Sequence, residues 1–377
     1  MTELKKPSEF VFRILGISGM MVPPGAKFPK IFSIYVLVQC VNTFLFILTN
    51  FVSLTSKNIG LYEKLECFQY GISTCHILSK HMNIVLQRKR TIKFFTLIDD
   101  MWSEFAHDPK YTHLFVKAHK ISVRMVIAMI LFYDGLIPMN FVLWLIKNFL
   151  MSPDVKTVPL ALWVFFDWKK HIFLGTFYQL TIFGSALLSI AISIALVRII
   201  AEQGSVQMQI LHMMLESRSP EDDKESNKKI YKLHQKIIIF VKEFNSFFSA
   251  HYCFEMVLSS MQIAARGYAA VSGLKEGNIM ILASYLLIAL TVIPPFVICY
   301  SGNLIKTQGE KIYRTAYRNQ WYYEKTDSRK DLLIMMTTAT YPVHLHYRYF
   351  VTFSMEQFTT LMQATYSYLT MIQHFDI

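Results

Sequence analysis

Long uncharged stretches constrain the fold of this chain more than any other feature of its sequence. About 20 apolar residues in helical conformation cross the roughly 30 Å hydrocarbon core of a bilayer. Composition agrees, since 53% of the 377 residues are hydrophobic, more than most soluble proteins contain. The sequence therefore predicts an all-α membrane protein with seven transmembrane helices. These lie within residues 30–57, 67–86, 125–146, 170–198, 244–270, 276–306 and 357–375.

The distribution of Lys and Arg predicts the orientation of these helices. Positively charged flanks resist translocation, so Lys and Arg concentrate in cytoplasmic segments. With the amino terminus inside, the inner segments hold 28 of the 38 Lys and Arg residues and the outer segments hold 7. We therefore expect a cytoplasmic amino terminus and an extracellular carboxyl terminus. The net charge of +12 is interpreted as a topology signal, and nucleic acid is not an expected partner.

The third inner segment predicts additional helices outside the bilayer. From Ala201 to Ser246, two helical patterns flank a polar break at residues 217–226. Apolar residues such as Leu233 and Ile237 recur at spacings of three and four, which is typical of an amphipathic helix. We expect the fifth span to continue as a helix below the membrane. The chain shows no internal repeat or soluble domain, so residues 1–377 are treated as one unit.

Candidate metal and catalytic residues lack the partners that such sites require. His76 with His81, and His344 with His346, are pairs in or near spans. Zinc and iron sites need three or four convergent ligands, and no acidic or Cys partner accompanies these pairs. No Gly-rich phosphate loop, nucleophile elbow or HExxH motif is present. The sequence predicts no enzyme, no cofactor, no catalytic residue and no metal site.

Four charged residues fall within or beside the predicted spans, where charges are energetically costly and suggest function. They are Asp134, Glu255, Arg266 and Glu356. They either pair with one another or sit at an interface, or they take part in the passage of ions or protons. Their wide separation along the chain leaves both explanations open.

The last predicted span carries a polar stripe. Thr359, Gln363, Ser367, Thr370 and His374 are separated by four, four, three and four residues, a spacing that places them on one face of a helix. Polar groups facing lipid are disfavoured, so the stripe is expected to face protein or water. On composition alone, packing against a neighbouring helix is favoured. The alternative is the wall of a pore that several subunits enclose.

Three segments carry a resemblance to a known family. The first, from Cys299 to Tyr323, contains Gly302, Asn303, Tyr317 and Trp321. The second contains Pro342, the Phe350 to Ser354 segment, Phe358 and the Tyr-Ser-Tyr sequence at 366–368. The third is LWVFFDW, in which Phe165 replaces the Pro that often precedes Phe166 and Asp167. In their order and spacing, these segments resemble the insect odorant receptor family, which also shares the predicted topology.

The resemblance implies a subunit of a ligand-gated, nonselective cation channel that assembles as a tetramer with the co-receptor Orco. The chain lacks the co-receptor's long insertion after the fourth helix, so it resembles an odour-tuning subunit in the plasma membrane of olfactory sensory neurons. Residues 30–200 would hold the mainly ligand-sensing helices one to four. Residues 201–348 would hold a cytoplasmic anchor with helices five and six, and residues 349–377 the pore helix. A gustatory-type receptor channel and a seven-helix transporter are the alternatives.

The resemblance also implies an apolar, aromatic-lined pocket for a small volatile molecule between the outer halves of helices two to five. A hydroxyl group there would select esters, alcohols or aldehydes through one hydrogen bond. The residues expected in this region are Tyr70, Ser73, Ile77, Tyr133, Leu136, Ile137, Asn140, Phe173, Phe177, Thr181, Met261, Ala264 and Tyr268. The residues expected to line the pore are Gln363, Ser367, Thr370 and His374, with the gate at the last two. We hypothesise that His374 tunes permeation at the pore mouth.

Overall fold

The computed structural model describes residues 5–56, 61–151, 170–219, 224–275, 281–319, 321–324, 326–341 and 343–375. Within these ranges the structure is helical apart from one small hairpin and short connections. The helices are α1 (Pro7–Ile17), α2 (Pro29–Leu54), α3 (Leu61–Leu86), α4 (Arg88–Phe105), α5 (Thr112–Asp134), α6 (Leu136–Leu145), α7 (Ile172–Glu216), α8 (Lys224–Phe247), α9 (Ser249–Lys275), α10 (Ile281–Arg318), α11 (Thr326–Ala339) and α12 (Met355–Phe375). Strands β1 (His346–Tyr347) and β2 (Val351–Thr352) pair antiparallel.

The seven predicted spans coincide with α2, α3, α5 with α6, α7, α9, α10 and α12. Within the described ranges, α2, the segment 112–139 and α7 have both the length and the hydropathy of a membrane-crossing helix. Helix α7 has 45 residues, which corresponds to about 68 Å at 1.5 Å per residue. Since this is about twice the thickness of a hydrocarbon core, α7 extends well beyond any bilayer that it crosses.

The extended part of α7 belongs to a second group of helices, which we call the basal bundle. It comprises α4, α8, α11 and the carboxyl-terminal parts of α7 and α10. The amphipathic pattern in the sequence is confirmed, because Leu233 and Ile237 of α8 are buried. Phe94 of α4 stacks on Phe240 of α8 with ring centroids 5.5 Å apart. The predicted continuation of the fifth span is interrupted at Phe248, where α8 ends and α9 begins.

A buried ion pair and a neighbouring hydrogen bond link three segments of the basal bundle. The Arg218 guanidinium binds the Glu324 carboxylate through two hydrogen bonds, and its Nε donates to Asn227 Oδ1 at 2.6 Å. Both ionic side chains are almost completely buried. Breaking a buried pair leaves an uncompensated charge, so this contact holds the end of α7 to α8 and to the segment after α10.

Glycines in α10 allow the hairpin before α12 to approach closely. A Cβ on Gly302 would lie 2.0 Å from the Phe353 carbonyl oxygen, and one on Gly309 would lie 2.7 Å from the Val343 carbonyl oxygen. The Asn245 side chain of α8 binds the same segment through His344 O and His346 N, each at 3.0 Å. Gly302 of the Gly-Asn motif therefore has a steric role, because it allows the connection that precedes α12 to pack against α10.

Candidate functional site

A cavity of about 70 Å³ lies among seven helices. It adjoins the middle of α3 and α9, the first halves of α7 and α10, the last parts of α2 and α5, and the start of α6. One wall is aromatic, because the rings of Phe46, Tyr70 and Phe183 lie with centroids 5.6 to 6.4 Å apart. A second wall is apolar and consists of Leu136, Ala186, Leu187, Ile190, Leu290 and Pro294. The volume is below the roughly 300–1,000 Å³ of drug-sized pockets. The cavity therefore suits a small molecule, or one that displaces side chains.

Polar groups from four helices lie at the cavity, and several are already engaged. The Tyr133 hydroxyl donates to the Leu290 carbonyl oxygen at 2.9 Å. Thr74 Oγ1 donates to the Tyr70 carbonyl oxygen at 2.6 Å. Ser73 Oγ donates to Gln262 Oε1 at 3.0 Å and so links α3 to α9. These hydrogen bonds stabilise the cavity wall. The three hydroxyl groups therefore do not have a free proton to donate to a ligand.

A buried charge network adjoins the cavity. Glu255, which lines it, binds Lys80 of α3, and His76 Nε2 lies 3.5 Å from its other carboxylate oxygen. Lys80 Nζ also donates to Ser193 Oγ of α7 at 2.8 Å and lies 4.7 Å from the centroid of the Tyr252 ring. The network thus joins α3, α7 and α9. Glu255 is therefore a paired charge, but its partner is Lys80 rather than one of the other three charges that the sequence analysis singled out.

The remaining intramembrane charges occupy different environments. The Arg266 guanidinium carbon lies 5.7 Å from the centroid of the Tyr70 ring and lines the cavity. Glu356 forms an ion pair with Lys306 at 3.3 Å, but its side chain is 84% exposed. Asp134 Oδ1 is buried and has no hydrogen-bond partner among the described residues. Together with Glu255, these charges therefore do not form one continuous polar path in the part of the chain that is described.

The predicted ligand residues are distributed over several surfaces. Tyr70, Ser73, Tyr133 and Leu136 line the cavity. Ile77 and Ala264 are buried away from it, and Ile137 and Tyr268 are partly buried without lining it. Phe173, Phe177, Thr181 and Met261 lie on exposed faces of α7 and α9. The Asn140 side chain lies outside the described residues.

Several cavity residues were missed because the sequence prediction selected the wrong face of a helix. On α7, Phe173, Phe177 and Thr181 share one exposed face, whereas Phe183 and Leu187 share the face that lines the cavity. On α9 the cavity residues recur at spacings of four, three and four, and they are Glu255, Ser259, Gln262 and Arg266. That polar stripe was a detectable signal, because such residues seldom face lipid. Phe46 and the α10 residues Leu290 and Thr291 had no comparable local signal.

The predicted pore stripe lies along one side of α12. Gln363 and Ser367 are exposed and Thr370 is partly exposed. Ser367 Oγ donates to the Gln363 carbonyl oxygen at 3.1 Å, and Thr370 Oγ1 donates to the Ser367 carbonyl oxygen at 2.9 Å. The hydroxyl protons are therefore satisfied within the helix, which packs against α9 and α10. The His374 side chain lies outside the described residues, as do Pro342 and the LWVFFDW segment.

The seven membrane-length helical segments, of which all but α12 line a largely apolar cavity, define a polytopic membrane protein. The sequence profile described as 7tm Odorant receptor matches residues 61–366, so the chain belongs to the odorant receptor family. The resemblance seen in the sequence is confirmed. This is a family of membrane receptors rather than of enzymes. Across the described ranges, no group of three or more His, Cys, Asp or Glu side chains is arranged to hold a metal ion.

Relatives with curated names are similar over part of their length. Odorant receptor 47a of Drosophila melanogaster is 26% identical over 156 residues, which cover 39% of each chain. Odorant receptor 10 of Aedes albopictus is 25% identical over 178 residues, which cover 45% of this chain and 47% of the relative. The chain thus spans less than half the length of these relatives.

Solved structures share the fold over nearly the whole chain. The insect olfactory receptor OR5 from Machilis hrabei superposes with a TM-score of 0.76 and 13% identity, covering 97% of this chain and 96% of that one. Its structure in complex with eugenol gives a TM-score of 0.77 and 98% coverage of both chains. The predicted seven-transmembrane odorant-receptor fold is therefore confirmed.

Proposed function

We propose that this chain is the odour-binding subunit of a ligand-gated, nonselective cation channel. A small volatile molecule binds in the cavity and opens a pore lined by α12. The observation that carries this proposal is the largely apolar cavity within an odorant-receptor fold. The OR5 receptor of the same fold has been solved with eugenol, which supports a small organic ligand for this chain as well.

Ligand binding is driven by removal of apolar surface from water, worth about 25 cal/mol for each Å² buried. The rings of Phe46, Tyr70 and Phe183 provide this surface. Seven helices contribute to the cavity wall, so a ligand that fits one arrangement of them better than another shifts the population toward that arrangement. Opening therefore requires only that the open state binds the ligand more tightly than the closed state.

The uncovered polar side of α12 supports its role as the pore helix. Gln363 and Ser367 are exposed in the single chain, whereas the opposite side packs against α9 and α10. One helix cannot enclose a channel, so the pore requires other subunits around a common axis. We assign these positions to a tetramer with the co-receptor Orco, in which Gln363, Ser367, Thr370 and His374 face the pore.

The charge distribution supports the orientation of the channel. Lys and Arg concentrate in the segments of the basal bundle, and cytoplasmic segments carry such an excess. The basal bundle and the amino terminus therefore lie in the cytoplasm, and α12 ends outside. We expect the ligand to enter the cavity from the outer side of the membrane, where volatile molecules arrive at the plasma membrane of an olfactory sensory neuron.

Calcium imaging in cells that express this chain with the co-receptor tests the role of the cavity. Ala186, which is buried in the cavity wall, is replaced by Leu to reduce the space for a ligand. We expect the wild-type pair to respond to members of a volatile panel and Ala186→Leu to respond at least tenfold less sensitively. Thr181→Leu on the exposed face of α7 is the matched control. Unchanged sensitivity in Ala186→Leu at equal surface abundance would contradict the cavity as the ligand site.

A further inference from the structure

The Gln262 side chain at the cavity has an unused hydrogen-bond donor. The residue is 5% exposed, and its Oε1 accepts the hydrogen bond from Ser73 Oγ. Its Nε2 is buried and has no partner among the described residues. Buried amide donors are almost always paired, and an unpaired one is unfavourable. A group that accepts from Nε2 in the cavity would remove this penalty.

Three hydroxyl groups at the cavity are poor alternative donors to a ligand. The protons of Tyr133 and Thr74 are donated to the backbone carbonyl oxygens of Leu290 and Tyr70. Ser73 donates its proton to Gln262 itself. The sequence predicted that a hydroxyl group would recognise the ligand oxygen. The Gln262 carboxamide is the better donor in this structure. Ser73 acts as a positioning residue, because its hydroxyl holds Oε1 and leaves Nε2 for the cavity.

We infer that Gln262 Nε2 donates a hydrogen bond to the oxygen of a small carbonyl compound, an aldehyde or ketone. This inference rests on the proposed odour-binding role of the cavity. The hydrocarbon part of the ligand packs against the rings of Phe46, Tyr70 and Phe183. A site that hydrogen-bonds a ligand oxygen rejects the analogue that lacks it, because the polar group is then left unpaired. A cavity of about 70 Å³ favours the smaller members of the class.

Isosteric pairs of volatiles isolate this hydrogen bond. Benzaldehyde is paired with styrene, acetophenone with α-methylstyrene, and cyclohexanone with methylenecyclohexane, so that only the carbonyl oxygen is replaced by a methylene group. We expect the wild-type receptor to be roughly tenfold more sensitive to the carbonyl member of a pair. Gln262→Leu should abolish this preference by weakening the carbonyl response. Ser73→Ala should reduce the preference partially, because the amide is then released rather than removed.

Thr74→Val is the matched control, since Thr74 also lines the cavity but its hydroxyl is used by the Tyr70 carbonyl oxygen. It should retain the carbonyl preference. The same pairs are also tested by ligand-induced thermal stabilisation of the purified receptor, a measurement that requires no current.

The outcomes separate this inference from the proposed function. Equal sensitivity to both members of each pair in the wild type, or a preference that survives in Gln262→Leu, would overturn the inference and leave the channel proposal intact. Carbonyl-selective stabilisation that Gln262→Leu abolishes would support the inference even if no current were seen. Neither stabilisation nor current with any pair would count against both.

Discussion

Replacing Lys80 by Met is expected to destabilise the receptor strongly. The side chains of Lys80 and Glu255 are 7% and 1% exposed, so the substitution leaves a carboxylate buried without its cation. Removing one partner of a buried pair costs about 3–5 kcal/mol, whereas replacing both charges by apolar groups is often neutral. We therefore expect Lys80→Met to destabilise, and the double variant Lys80→Met with Glu255→Leu to recover most of the loss.

The apparent melting temperature of the detergent-solubilised receptor, followed by fluorescence-detected size-exclusion chromatography, measures this effect. A loss of 1 kcal/mol lowers the melting temperature by about 2–4 °C in domains of 150–250 residues, so Lys80→Met should shift it by several degrees. Lys306→Met is the matched control. Its partner Glu356 is 84% exposed, and exposed pairs contribute only about 0–1 kcal/mol.

Two results would refute the reasoning about this pair. One is a Lys80→Met receptor that melts with the wild type. The other is a double variant that melts at a lower temperature than Lys80→Met, because additive losses mean that the two charges do not compensate each other.

Two further predictions concern the basal bundle and its junction with α12. Gly302→Ala places a Cβ 2.0 Å from the Phe353 carbonyl oxygen, so we expect a loss of about 2 kcal/mol or more and low surface abundance. Ser301→Ala, which removes a buried hydroxyl without a partner among the described residues, should not reduce abundance in the same assay. Burial lowers the pKa of His234 from 6.5 to about 4. As the pH falls, His234 therefore binds a proton in the unfolded chain before it does so in the folded protein. The free energy of unfolding then decreases as the pH drops from 6.5 toward 4. His234→Leu should flatten the melting temperature across this interval, and an equally steep decline would contradict the assignment.

Helix positions were largely predictable because they depend on local properties of the sequence. Runs of apolar residues located the seven helical segments that correspond to the predicted spans, and spacings of three and four located the buried face of α8 at Leu233 and Ile237. The break at Phe248 was not predicted, since the apolar pattern continues across it.

The candidate site was predicted only in part, because it depends on contacts between distant segments. Periodicity groups Phe173 with Phe177 and Phe183 with Leu187, but only packing decides which group meets the other helices. The partners Lys80 and Glu255 lie on α3 and α9, and no local pattern links them. The polar stripe on α9 that contains Gln262 shares the spacing of the stripe on α12 and could have been recognised by the same criterion.

Whole-cell recording tests the central claim most directly. Cells that express this chain with the co-receptor, this chain alone and the co-receptor alone are exposed to the same volatile panel. We predict currents evoked by panel members only when both proteins are present, with reversal near zero millivolts. Absence of any such current when both proteins are at the cell surface, or identical responses in cells with the co-receptor alone, would contradict the claim that this chain is the odour-binding subunit of a cation channel.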